Sequence, residues 1–167
     1  MVCQRKNGDV WYFGEETKEL ETFPGDAPAN PELVSIDGSF KSGRDGDKGG
    51  LFFLKSPTVG AAYFEEFSLG NAEDVTQVLS TTYIFGGNAD LDQGVPSALA
   101  ARFCTAPGDC IVTKNYSLLE PGDVAHKYYA KGMGVILEVE FTDDQVQATS
   151  QLVNCNFDAR CQNLPLP

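Results

Sequence analysis

Apolar positions along this chain recur at every second residue or gather in short runs, the spacing of strands and not of amphipathic helices. Val10-Trp11-Tyr12-Phe13 is a compact aromatic run, and Leu51-Phe52-Phe53-Leu54 is another, closed by Ser56-Pro57. Residues 61–69 carry Tyr63, Phe64 and Phe67 around Glu65-Glu66. Residues 75–85 are rich in Val, Thr and Tyr, and Ile111-Val112-Thr113 leads to Tyr116. These segments are β-branched or aromatic, of strand length, and bounded by Gly, Pro and Asn. The clearest pattern is a C-terminal hairpin. Val135, Leu137, Val139 and Phe141 form an apolar face, Glu138 and Glu140 point the other way, and Ile136 breaks the alternation. Thr142-Asp143-Asp144 supplies the turn, and the return strand sets Val146, Ala148 and Leu152 toward a core.

Helical signals are few. Residues 96–103 make about two turns, and Asn71 reads as a helix cap for residues 71–79, although a strand from about Val75 is favoured. Residues 43–50 and 86–94 read as polar, glycine-rich loops. Strands do not alternate with long helices, which argues against a doubly wound nucleotide fold. The expected fold is mainly β: a single curved antiparallel sheet or half-barrel with one or two short helices. It forms one domain over 1–167, with an inserted loop at 86–110 and a closed tail at 155–167.

Charge narrows the partners. The chain has 24 Asp+Glu against 12 Lys+Arg, a formal net charge of -12. That balance argues against an electrostatic grip on nucleic acid or anionic lipid, which relies on clustered cations. No apolar run approaches the roughly 18 residues of a membrane helix. The first residues also lack the apolar stretch of a secretory signal.

Four of the five cysteines form two close pairs, Cys104 with Cys110 and Cys155 with Cys161, each bracketing turn-forming residues; Cys3 stands apart. Two local disulfides are favoured over reduced thiols and over a four-thiolate zinc site, whose pairs are usually closer in sequence. Disulfides imply an oxidising compartment, so an extracytoplasmic setting is expected. Asn115-Tyr116-Ser117 fits the N-glycosylation triplet.

Candidate chemistry is sparse. Asn88, Asp90 and Asp92 have the alternate spacing that suits calcium, but Gln93 and Leu99 stand where a full calcium loop wants Gly and Glu, so solvated turn acids are the stronger reading and no cofactor is expected. His126 is the only histidine. On a strand it shares a face with Tyr128, an arrangement with acid–base potential near neutral pH. An ordinary strand histidine is the commoner case. Neither a nucleophile elbow nor a phosphate-binding loop occurs. The aromatic supply suits an apolar ligand on a concave sheet, with Trp11, Phe13, Phe64, Tyr128 and Tyr129 as its wall, against the alternative that these rings are simply core.

Two blocks resemble a family of uncharacterised, mostly bacterial, extracytoplasmic β-rich proteins. Gly8-Asp9-Val10-Trp11-Tyr12-Phe13-Gly14-Glu15-Glu16-Thr17-Lys18-Glu19 is similar to its "GNVWYFGEDTKE". The stretch from Leu119 to Glu138 is similar to its "LEPG-x-V-E-H-K-Y-Y-A-x-G-V-G-x-V-x-E". Gly38-Ser39-Phe40, Val59-Gly60 and Gly70-Asn71-Ala72-Glu73-Asp74 fall between them in the same order. The resemblance spans about residues 7–141 and implies a curved antiparallel sheet or half-barrel with little helix. It carries no catalytic residue. Ala125 stands where the family has an acid before the histidine, which weakens a charge-coupled role for His126. The family usually has more sequence before its "VWYF" strand; without it, a sheet edge is left open to a protein partner.

Three functional expectations follow: a binding or structural domain that holds an apolar or amphipathic ligand; a small hydrolase or isomerase using His126 and Tyr128; and a calcium-supported adhesive module joined through an exposed strand edge.

Overall fold

A computed structural model of the chain describes residues 1–27 and 30–164. As expected, the protein is mainly β, with antiparallel sheets and two short α-helices; none of the sheets closes into a barrel. The strands are β1 (Val2–Gln4), β2 (Val10–Tyr12), β3 (Gly14–Glu15), β4 (Glu19–Glu21), β5 (Glu32–Ser35), β6 (Phe40–Lys41), β7 (Lys48–Phe53), β8 (Ala62–Phe64), β9 (Glu66–Phe67) and β10 (Asp74–Ser80). Helices α1 (Ala89–Asp92) and α2 (Ser97–Phe103) precede β11 (Cys110–Ser117), β12 (Asp123–Ala130), β13 (Gly134–Thr142) and β14 (Gln145–Gln151). Two compact units emerge, one from residues 1–55 and 64–74, the other from residues 56–63 and the chain from Val75.

The first unit is built on a four-stranded sheet ordered β1-β2-β7-β9, with two-stranded ladders β3-β6 and β4-β5. Lys48, Gly49 and Gly50, expected in a loop, lie in β7. A Cβ at Gly50 would stand 2.1 Å from the Glu65 carbonyl oxygen, and one at Gly49 would stand 2.8 Å from the Phe13 ring. Glycine there is a strand residue that permits close approach, not a loop former. Asn71 caps no helix: its side-chain oxygen accepts from Gly38 N at 3.1 Å and its amide donates to Ser39 O at 2.8 Å. The chain is then extended in β10, as the favoured reading had it.

The second unit is built on a six-stranded sheet ordered β14-β13-β12-β11-β10-β8. Leu91 of α1 and Leu99 and Phe103 of α2 form the core together with Val112, Tyr128, Leu137, Val139 and Phe141. Residues 86–110 therefore supply the apolar layer that covers this face. The Cys104 and Cys110 Sγ atoms are at disulfide distance, with Cα atoms 5.1 Å apart, tying the end of α2 to the start of β11. The Cys155–Cys161 pair is likewise at disulfide distance, with Cα atoms 5.4 Å apart. That tail is held by Arg160, whose Nη2 donates to Lys131 O at 3.0 Å, and by Arg102, whose Nη1 donates to Gln162 O.

The hairpin differs from its expected alternation at two places. Tyr128 pairs with Leu137 but Tyr129 pairs with Val135, so Ile136 is an extra residue in β13. This bulge turns Val135 to solvent, 37% exposed, while Ile136 and Leu137 both enter the core. The return strand is also not half-buried: residues 145–150 are exposed throughout, because β14 is the outer strand of the sheet. Leu152, just beyond it, does pack against the core. The turn is as expected. Asp143 and Asp144 form a two-residue connection, both with positive φ (50° and 61°), the geometry of a type I′ hairpin.

The bulge yields a stability test. Leu137→Ala should cost about 2–5 kcal/mol in equilibrium denaturation, whereas Val135→Ala should cost under about 1 kcal/mol. Equal losses would restore the regular alternation.

Candidate functional site

A cleft of about 450 Å³ opens in the first unit, within the range of small-molecule sites. Its apolar lining comes from Phe13, Ile36 and Phe40, and charges of both signs stand around it, Lys41 and Arg44 beside the carboxylates of Glu15, Glu16, Asp45 and Asp47. The β3-β6 ladder forms one wall. Gly14 makes that ladder possible: its φ is 138°, and a Cβ there would lie 2.3 Å from the Phe40 carbonyl oxygen.

The loop after β6 is held in shape by its own backbone. Ser42 N donates to Phe13 O at 2.8 Å, Gly43 N to Asp47 O at 3.0 Å, and Asp47 N to Arg44 O at 2.8 Å. Asp47 Oδ2 also accepts from Lys41 N at 3.1 Å. Asp45 sits at its tip in the left-handed region, φ 52°, a conformation Asp tolerates better than most residues. The Arg44 and Lys41 cations have no ion-pair partner among the described residues. Beneath, the Tyr12 hydroxyl donates to Glu15 Oε2, and burial followed by this carboxylate raises the phenol above its usual range.

Of the five aromatic residues expected to form a ligand wall, only Phe13 lines this cleft. Trp11 stacks on Phe13 with ring centroids 6.3 Å apart, and the Arg5 guanidinium lies 4.1 Å above the indole. Phe64 meets Phe67 edge-on at 5.2 Å. Tyr128 and Tyr129 belong to the second unit, on opposite faces of β12, and both are buried. Tyr128 is 1% exposed, packs edge-on against Tyr83 at 5.2 Å and donates its hydroxyl to Leu91 O at 2.6 Å. Burial pushes its phenol above the ordinary range, with a smaller contribution from Asp92. A hydroxyl so held serves packing. Lys41, Arg44 and Ile36 are not among the expected site residues, since the sequence shows them only as turn and flank residues; the one available signal is Ser39-Phe40 ahead of a glycine-rich loop.

His126 and Tyr128 share a face, as the register requires. The imidazole packs on Phe141 with centroids 4.8 Å apart, and its Nδ1 has no hydrogen-bond partner among the described residues. Burial lowers its basicity, and Lys114, opposite it on β11, lowers it further. No carboxylate is among the groups that shift it. Asn88, Asp90 and Asp92 serve α1: Asn88 caps it by accepting from Asp90 N at 3.0 Å, and Asp92 accepts from the Tyr83 hydroxyl at 2.9 Å and from Gly86 N at 2.9 Å. Among the described residues no group of three or more His, Cys, Asp or Glu is placed to hold a metal. Asn115 is buried on β11 with its amide donating to Thr76 Oγ1 at 2.8 Å, which leaves the glycosylation triplet inaccessible in the folded chain.

No family model, no curated protein and no solved structure matches this chain.

The depressed basicity of His126 gives a pH prediction. The folded state disfavours its protonation, so stability is full above the usual value of 6.5 and falls as pH drops below it. Between about pH 7.5 and about 5.5, above the carboxylate range, the melting temperature should decline. His126→Gln should flatten that decline; an unchanged slope would locate the acid sensitivity elsewhere.

Proposed function

We propose that this chain is a binding domain working outside the cytoplasm, and that the cleft of its first unit takes a small amphipathic molecule. The observation that carries the reading is the combination of an apolar lining with two cations, Lys41 and Arg44, that have no ion-pair partner among the described residues. An apolar body resting on Phe13, Phe40 and Ile36 and an anionic or zwitterionic group reaching Arg44 would use both features. The setting is supported by two cysteine pairs at disulfide distance, since such bonds persist in oxidising compartments. The resemblance of two sequence blocks to extracytoplasmic proteins points the same way. No helix among the described residues is long and apolar enough to cross a membrane. An acid–base role for His126 has less support: its surroundings are an aromatic ring and a lysine, and its partner Tyr128 has its hydroxyl engaged in the core.

The probe for this cleft is 8-anilinonaphthalene-1-sulfonate, whose fused rings suit Phe13, Ile36 and Phe40 and whose sulfonate suits Lys41 and Arg44. Trp11 is the only tryptophan and stacks on Phe13, so its emission reports occupancy. Saturable binding with quenching of Trp11 is expected. Arg44→Gln should weaken it about tenfold through loss of a charged hydrogen bond, and Phe13→Ser should weaken it by a similar factor. Binding indifferent to both substitutions would remove the cleft as the site.

A further inference from the structure

The β4-β5 ribbon carries an unusual division of side chains. It is a two-stranded sheet by itself, so the outer edge of each strand lacks a ladder partner among the described residues. Its base is fixed: Thr17 Oγ1 donates to Asp37 O at 2.5 Å, and Thr17 N donates to Ser39 Oγ at 2.9 Å. Leu20 stands directly opposite Leu33, and both are more than half exposed, at 53% and 54%. The register turns Glu21 and Glu32, directly opposite each other, to the other face, while Glu19 pairs with Ser35 beyond a bulge at which Val34 is the extra residue. Neither strand contains Lys or Arg, and among the described residues none of the three carboxylates has a hydrogen-bond or ion-pair partner.

Both features are unfavourable in isolation. Like charges facing each other across a ladder destabilise it, and a lone two-stranded ribbon with an apolar pair in water is marginal. A single kind of occupant relieves both. An extended segment added along a free edge places alternate side chains on the two faces. Apolar residues then cover Leu20 and Leu33 while lysine or arginine residues on the other face neutralise Glu21 and Glu32. We propose that the β4-β5 ribbon is a docking strand pair for an extended segment of a partner protein in which apolar and basic residues alternate. The charge complementarity selects this partner over an anionic lipid surface, which three carboxylates would repel, and over a second copy of the ribbon, which would double the carboxylates. This surface is separate from the Arg44 cleft in residues and in ligand chemistry.

The test uses the full chain and a short fluorescent peptide of alternating Lys and Val, read by anisotropy, beside an isomer with its Lys and Val in two blocks and a counterpart with Glu in place of Lys. The alternating peptide should bind at least about tenfold tighter than the block isomer, and its affinity should fall as salt rises. The Glu counterpart should not bind. Glu21→Gln with Glu32→Gln should lower the affinity about tenfold and flatten the salt dependence, and Leu20→Ser with Leu33→Ser should lower it by a similar factor. The near-ultraviolet signal of Trp11 verifies that each variant keeps its first unit. Equal binding of the block isomer would reduce the effect to net charge and overturn the proposal, as would affinities unmoved by both double variants. The peptide comparison on the unaltered chain decides the matter even if a variant fails to fold.

Discussion

The second unit depends on closing one face of its sheet with an apolar layer, and Tyr128 is where that closure is made. Its ring fills the interface between β12 and Tyr83, and its hydroxyl donates to the Leu91 carbonyl. A buried phenol without a partner would cost about 1–3 kcal/mol, so α1 must present that carbonyl where it does. Asn88 and Asp92 hold α1 in place through its cap and through Tyr83 and Gly86. The residues whose spacing suits calcium, weighed against solvated turn acids, are thus part of the reason the core closes. The Cys104–Cys110 pair, at disulfide distance, adds a short return from the covering helix to the sheet beneath it.

The first unit follows a different rule. Its strands are short, and its organisation rests on backbone brought very near other atoms, at Gly14 and Gly50 above all. Close approach of backbones leaves little room for a broad apolar core, so aromatic rings such as Phe13 remain half-exposed and border open space. A cleft with an apolar lining and a charged margin is the natural product of that construction. The same economy of core leaves the β4-β5 ribbon with exposed leucines.

The surplus of acids is unevenly consequential. Asp158 is held below the usual carboxylate range, to about 2, by hydrogen bonds from Arg160, and that pair anchors the tail. Glu138 lies 3.9 Å from Lys127 across the β12-β13 ladder. Glu21 and Glu32, by contrast, face each other with no ion-pair partner among the described residues. The first pairings join groups of opposite charge that the fold itself supplies, whereas the last sets like charges side by side at the surface.

Period-two alternation and β-branched runs determined the strand class and the antiparallel hairpin, and local residue preferences its Asp143-Asp144 turn and the Ala- and Leu-rich helix at 97–103, because these are properties of consecutive side chains and their preferred dihedrals. Cysteine spacing likewise placed two local pairs at bonding range. Tertiary structure alone decided that Ile136 is an extra residue and Val135 faces water, since a bulge depends on the partner strand. It also decided that Gly49 and Gly50 are strand residues, since their reason is an atom of a segment distant in sequence. The grouping of Phe13, Ile36, Phe40 and Arg44 around one cleft belongs to the same class: it is set by ladder pairing and loop closure, and no spacing along a single strand encodes it.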